Sequence, residues 1–192
     1  AREDPDVTEI FASLVDPAKL RTLTTRGAIP RIQKITFHLE MARRAGGQPS
    51  AILDQALKSV GYAPDAARVT KSQLLRNLQA ATAFGCTSDA GMNEMKLGHA
   101  PTIEKGASRG DQLSVDHAIP VKVCPELDNV LANLQYMPLR KNESKNDKVV
   151  RQQRSLALML HAVHLLSDEG LSKVLKAEPS KKAKKRRSRN SK

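Results

Sequence analysis

Two titratable residues stand side by side in the stretch LSVDHAIPVKV, residues 113–123. An imidazole can accept a proton from water near neutral pH, which makes His117 a candidate general base. The carboxylate of Asp116 is a hard oxygen ligand of the kind that Mg²⁺ prefers. Hydrolysis of a phosphodiester needs a water made nucleophilic and a means of neutralising developing charge. The pair therefore suits metal-assisted hydrolysis of such a bond.

Two asparagines follow at the junctions between the predicted elements: Asn133 before the second strand and Asn142 in the first turn of the next helix. Asn142 can give a cation a second oxygen without adding charge, which leaves coordination positions open for phosphate and water. Adjacent residues of an extended strand point to opposite faces, so Asp116 and His117 share a site only if the strand ends or kinks between them. An isolated Asp-His is most often a surface-loop pair, and Asn133 and Asn142 alone would be turn and cap residues. The prediction depends on the joint pattern.

The elements that must position these residues follow the order strand, loop, strand, helix from residue 112. DQLSVDH alternates, with Leu113 and Val115 toward one face, and NLQYMPL reads as a second short strand. Between them, a short helical turn is predicted to begin at Pro125. From Leu139 a long helical pattern opens, and we expect Gly170 to end it.

The first half of the chain is predicted to be helical. Expected features are a break near Asp16-Pro17, a helix opened by Pro30, another with Ser50 as its N-cap, and one from Thr70 to Gly85. From about Gly91, glycines, prolines and short alternating runs predict loops and short strands. The chain has no Trp and few other aromatic residues, so Leu, Ile, Val and Ala must build the core. We predict an α+β fold that is mostly helical.

At this point the sequence resembles the HNH endonuclease family over about residues 98–148. The matching residues read DH-x-x-P, then P-E-L-x-N-x-x-x-N-L, then M-P-L-x-x-N-x-x-K. The third residue of the motif is often His in that family, and here it is Asn142, a variant. The zinc-binding Cys pairs of many relatives are absent, since the chain has two cysteines and no CxxC spacing. We expect the long helix and the N-terminal helices to brace the site instead.

The resemblance implies a ββα-metal core and a set of roles. His117 would be the general base, and Asp116 and Asn142 would hold one Mg²⁺, or Mn²⁺ or another divalent ion, per site. Asn133 would fix the loop and the orientation of His117. The implied activity is metal-dependent hydrolysis of DNA, with double-stranded DNA as partner and weak sequence specificity. Candidate phosphate contacts are Lys145, Arg140 and Arg109.

The C-terminal segment KKAKKRRSRNSK carries much of the formal net charge of +12, with eight basic residues and no acid. Like charges repel one another, so we expect this tail to be disordered and attracted to polyanions. The predicted organisation is a helical region (1–90), an HNH nuclease domain with a long C-terminal helix (91–178) and a basic tail (179–192). The tail's candidate contacts to nucleic acid are Lys181, Lys182, Lys184, Lys185, Arg186 and Arg187.

Two other functions stay open at this stage. The tail is compatible with a non-catalytic, basic nucleic-acid-binding protein that has a degenerate nuclease fold. A metal site does not itself select the sugar, so a nuclease acting on RNA is the other. No run of eighteen apolar residues predicts a membrane span. A cytoplasmic, DNA-associated location is favoured, with a nuclear or exported protein as alternatives.

Overall fold

The computed structural model of the protein describes residues 6–143 and 150–177. Its first half is helical, as predicted. Asp16 separates the first two helices, where its Oδ1 accepts a hydrogen bond of 2.9 Å from the N–H of Ala18. The helices are α1 (Val7–Val15), α2 (Pro17–Arg21), α3 (Ile29–Arg44), α4 (Pro49–Ser59), α5 (Pro64–Ala83) and α6 (Asp89–Lys96).

Prolines lie in the first turn of several of these helices. Two helices therefore begin earlier in the chain than the sequence predicted. A proline in the first turn loses no intrahelical hydrogen bond, because that N–H has no partner in a helix. Pro49 begins α4, so Ser50 lies inside that helix and is not its N-cap. Pro64 begins α5, which therefore starts six residues before the predicted Thr70.

The loop region predicted from Gly91 is wrong at its start, because Gly91 lies inside α6. Ser88 caps this helix, and its Oγ accepts a hydrogen bond of 3.3 Å from the N–H of Gly91. A Cβ at position 91 would overlap the carbonyl of Cys86, so the glycine permits a close approach of two backbone segments. Helix α6 therefore crosses the boundary that the sequence predicted between the helical region (1–90) and the nuclease domain (91–178).

A two-stranded antiparallel hairpin follows, in the predicted order of strand, loop, strand and helix. Strand β1 (Leu113–His117) pairs with β2 (Leu134–Pro138), from Leu113 opposite Pro138 to His117 opposite Leu134. A short 3₁₀ turn at Pro125–Leu127 lies in the connecting loop, as expected. Helix α7 (Leu139–Glu143) begins directly after β2 and contacts both strands.

The single long helix predicted from Leu139 to Gly170 is wrong. Val150 is extended, with φ −102° and ψ 169°, and caps a new helix α8 (Arg151–Ala162). His164 then adopts φ 61°, a left-handed conformation that ends the helical run. Gly170 lies inside the next helix, α9 (Asp168–Lys176). There it packs so closely on Glu126 that a Cβ would overlap the carboxylate.

Two hydrophobic clusters hold these elements together. The larger joins the N-terminal helices to the hairpin, because Leu113, Val115 and Tyr136 pack among the buried side chains of α1, α3, α4 and α5. The smaller packs α8 and α9 against the loop between the strands. The fold is α+β and mostly helical, as predicted. Among the described helices, none is long and apolar enough to cross a membrane.

Polar side chains of α3 and α5 also attach the hairpin to the helices. The Tyr136 hydroxyl donates to Gln33 Oε1 at 2.8 Å and lies 2.9 Å from Thr36 Oγ1. Burial raises the pKa of Tyr136 far above its usual value, so the hydroxyl keeps its proton. Asn77 Nδ2 donates to the Leu134 carbonyl at 3.0 Å, and its Oδ1 accepts from the Tyr136 N–H at 3.2 Å. These contacts show the N-terminal helices bracing the hairpin, as expected.

Candidate active site

The structure brings Asp116 and Asn142 to the same face of the hairpin. Asn142 Nδ2 lies 3.3 Å from Ser114 Oγ, which donates to the Met137 carbonyl at 3.0 Å. Ser114 and Asp116 are two residues apart on one strand, so they share a face and are separated by about 7 Å along it. Gln135, opposite Asp116 in the register, donates to Asp116 Oδ2 at 3.3 Å. Asn142 uses its amide nitrogen on Ser114, so its side-chain oxygen is the atom with which it could hold a cation.

The strand does not end between Asp116 and His117, which was one of the two ways in which both residues could serve one site. Pairing continues to His117 opposite Leu134, so Asp116 and His117 are the last two residues of the strand. By alternation, His117 lies on the face of Leu113 and Val115, opposite to Asp116. Each of the two titratable residues is 8% exposed. A group that meets both side chains must therefore lie across the C-terminal end of β1.

The imidazole of His117 is held by Asp128, a residue that the sequence analysis did not single out. His117 Nε2 lies 2.9 Å from the Asp128 carbonyl oxygen and 3.0 Å from Asp128 Oδ1. Both of these atoms are acceptors, so Nε2 must carry the proton of the neutral ring. The lone pair then lies on Nδ1, which is the basic nitrogen. The letters LDN in the loop gave no sign of this role, because only the fold brings the loop to the ring.

Asn133 fixes the loop that follows His117. Its side chain is fully buried, and Oδ1 accepts from the Ile119 N–H at 2.8 Å. Nδ2 donates to the Ile119 carbonyl at 3.0 Å and to the Leu127 carbonyl at 3.4 Å. The Ala118 N–H donates to the Asn133 carbonyl at 2.8 Å, which extends the ladder by one bond. Asn133 thus ties both ends of the loop to the end of β1, and it acts on His117 through the backbone.

The residues present fit a sparsely coordinated hard cation. Asp116 and Asn142 offer one carboxylate and one amide on one face, and Mg²⁺ is commonly bound by one or two protein oxygens while it keeps several waters. Across residues 6–143 and 150–177 there is no group of three His, Cys, Asp or Glu side chains arranged to hold a metal. A metal such as Zn²⁺, which takes three or four protein ligands, finds no such set there.

Two of the predicted phosphate contacts lie at the other end of the hairpin. Arg109 and Arg140 are exposed, and the Arg140 N–H donates to Asp111 Oδ2 at 3.1 Å, two residues from Arg109. This is the Leu113 end of β1, about 13 Å along the strand from His117. Lys145 and the tail residues Lys181, Lys182, Lys184, Lys185, Arg186 and Arg187 lie outside the described residues.

A cavity of about 600 Å³ is lined by Asp128, the partner of His117, but by neither His117 nor Asp116. Its walls come from α2, the turn between α4 and α5, the loop at Pro125–Leu131, and the turn after α8. The charged lining residues Arg21, Glu126, Asp128 and His164 offer no excess of positive charge. We therefore do not assign a nucleic-acid backbone to this cavity.

The chain was compared with family models, curated proteins and solved structures, and none of them matches it.

Proposed function

We propose that this chain is a divalent-metal-dependent endonuclease of the HNH type that hydrolyses DNA phosphodiester bonds with weak sequence specificity. The observation that carries the proposal is the hairpin and following helix, in which Asp116 and Asn142 share one face and His117 ends the strand. The ordered imidazole, with Nδ1 as its basic nitrogen, adds support. The resemblance over residues 98–148 names the same residues.

In this mechanism His117 Nδ1 accepts a proton from the water that attacks phosphorus. The phosphorus–O3′ bond breaks and O3′ takes up a proton from solvent, which leaves a 5′-phosphate and a 3′-hydroxyl. Asp116 and Asn142 would hold the divalent ion, which when bound neutralises charge that develops on the phosphate and leaving oxygen. The scissile phosphate lies across the end of β1, and Arg109 and Arg140 contact flanking phosphates.

The test is cleavage of supercoiled plasmid with Mg²⁺ or Mn²⁺, with and without a chelator. We expect the wild-type chain to nick plasmid only when the metal is present. His117→Ala should lower the rate about 10²- to 10⁴-fold, the usual contribution of a general base. His161→Ala is the matched control, because this half-buried histidine pairs with Asp168 at 2.6 Å on α8 and α9. Intact plasmid across all metals, or equal cutting by wild type and His117→Ala, contradicts the proposal.

The basic tail favours one other function, a nucleic-acid-binding protein without catalysis. The tail's eight basic residues would release counterions from DNA phosphates, so deleting residues 181–192 should weaken binding and flatten its salt dependence. A chain that binds DNA in this way but never cuts it, with or without His117, is a binding protein. Parallel assays on DNA and RNA of the same sequence decide which nucleic acid is the substrate.

A further inference from the structure

The loop between α2 and α3 contacts the same residue that holds His117. The Arg26 N–H donates to Asp128 Oδ2 at 3.0 Å and to Oδ1 at 3.2 Å. Arg26 adopts φ 59°, a left-handed conformation that residues other than glycine rarely take. This is the backbone geometry in which its N–H meets the carboxylate. A residue of the helical first half thus binds a carboxylate 102 positions away in the sequence.

The next residue, Asn129, binds the same loop with both the oxygen and the nitrogen of its side-chain amide. Asn129 Oδ1 accepts from the Ala28 N–H at 2.9 Å. Its Nδ2 donates to the carbonyls of Thr24 at 3.1 Å and Leu23 at 3.4 Å. Asp128 and Asn129 therefore satisfy donors and acceptors of the α2–α3 loop, which fixes the position of the Asp128 backbone as well as its carboxylate.

We propose that the helical first half positions the general base, with Asp128 as the positioning residue and the α2–α3 loop as its support. This inference rests on the proposed function. Asp128 holds the Nε2–H tautomer of His117 and so keeps Nδ1 basic. When the ring takes a proton from water it becomes a cation, and the carboxylate 3.0 Å away stabilises that charge. The contact therefore strengthens as the reaction proceeds.

The experiment compares Asp128→Ala and the isosteric Asp128→Asn with the wild-type chain. Plasmid cleavage gives kcat and KM, and ¹⁵N shifts of labelled histidine report the tautomer of His117. Because the Asp128 carbonyl still accepts from Nε2, we expect a partial loss, with kcat lowered about 10- to 100-fold and KM within about twofold. The ¹⁵N shifts should move from the Nε2–H form toward a mixture of tautomers. A wild-type kcat together with an unchanged tautomer in both variants overturns the proposal.

Loop variants test whether the helical half takes part. A Cβ on Gly27 would lie 2.7 Å from Leu23 Cβ and 2.9 Å from the Thr24 oxygen, so Gly27→Ala must displace the loop. We expect Gly27→Ala, and Asn129→Ala as a second loop variant, to lower kcat at least threefold per folded molecule and to shift the tautomer. Gly47→Ala is a control outside this loop: a Cβ there would lie 3.0 Å from the Ala42 oxygen, a milder contact, and this variant should cut as wild type does.

The two measurements separate the two proposals. If the wild-type chain cuts no plasmid with any metal, the proposed function fails, and the tautomer shifts of the variants still decide whether Asp128 and its loop position His117. If the wild-type chain cuts and the loop variants cut equally well with an unchanged tautomer, the helical half does not position the base. Cleavage by wild type with loss in the loop variants and a shifted tautomer supports both.

Discussion

The side chain of Asn133 provides the sharpest test of how the loop after His117 is held. Asn133→Ala removes one acceptor and one donor that serve three backbone groups: the N–H and carbonyl of Ile119, and the carbonyl of Leu127. Each backbone group left buried and unsatisfied costs about 1–3 kcal/mol. The bond of 3.4 Å is weak, so the two bonds of 2.8 and 3.0 Å dominate the loss. The expected decrease in the free energy of unfolding is about 2–6 kcal/mol, a large part of the total of a typical domain.

The assay is urea unfolding followed by circular dichroism, with the free energy taken from linear extrapolation. Asn133→Asp should be at least as unstable as Asn133→Ala, because it replaces the donor by an acceptor that faces two carbonyl oxygens. Asn77→Ala is the matched control. Asn77 is also buried and also binds an N–H and a carbonyl of the hairpin, but on the outer edge of β2. We expect it to destabilise the fold by a similar amount.

Activity then distinguishes the two asparagines. Per folded molecule, Asn133→Ala should cut plasmid more slowly, because the loop that follows His117 has lost its anchor. Asn77→Ala should cut at the wild-type rate. A loss of less than 1 kcal/mol in Asn133→Ala would refute the reasoning about the buried amide. Equal cleavage rates for the two variants would refute the link between this loop and the base.

Two further predictions concern groups outside the site. Arg43, chiefly, and Arg44 hold the pKa of Glu40 below its usual range through hydrogen bonds and their positive charge. Glu40 itself is only 1% exposed. Its contribution to stability is therefore present above the unfolded-state value of about 4.3 and is lost as pH falls through the lower folded-state value. Unfolding of Glu40→Gln should show a deficit at pH 7 that shrinks below pH 4, whereas a constant deficit contradicts the ion pairs. Burial raises the pKa of Cys86 to about 12 and also raises that of Cys124, so both thiols should resist a thiol reagent at pH 8 until urea unfolds the chain. Rapid labelling of the native chain refutes this.

The order of the hairpin elements could be predicted because local signals were strong. Alternation at Leu113 and Val115, the proline at the 3₁₀ turn and the run before Leu139 each agreed with the fold. Gly91 and Gly170 misled for one shared reason. Each lies inside a helix that a serine caps, and each is small because another segment approaches closely. A glycine that ends a helix and one that permits close contact look the same in one sequence.

The environment of His117 could not be read from the sequence. Its partner Asp128 lies eleven residues away in an irregular loop, and Arg26 lies 102 residues before that. Neither distance follows from a helical or strand period, so no pattern marks the two residues. Asp116 and Asn142 could be selected in advance because metal chemistry restricts the residue types that can serve. Asp128 acts through an ordinary carboxylate and a backbone carbonyl, and many loops contain such groups.

Asn77 has a consequence for how copies of this chain behave toward one another. A two-stranded sheet has two outer edges, and an open edge of unpaired N–H and carbonyl groups can pair with a strand of another molecule. The Asn77 amide occupies the Leu134 carbonyl and the Tyr136 N–H as a neighbouring strand would. On the other side, Pro101 and Thr102 pair with the chain at Leu113 and Gln112. The same amide that fastens the hairpin to α5 thus blocks edge-to-edge aggregation through β2.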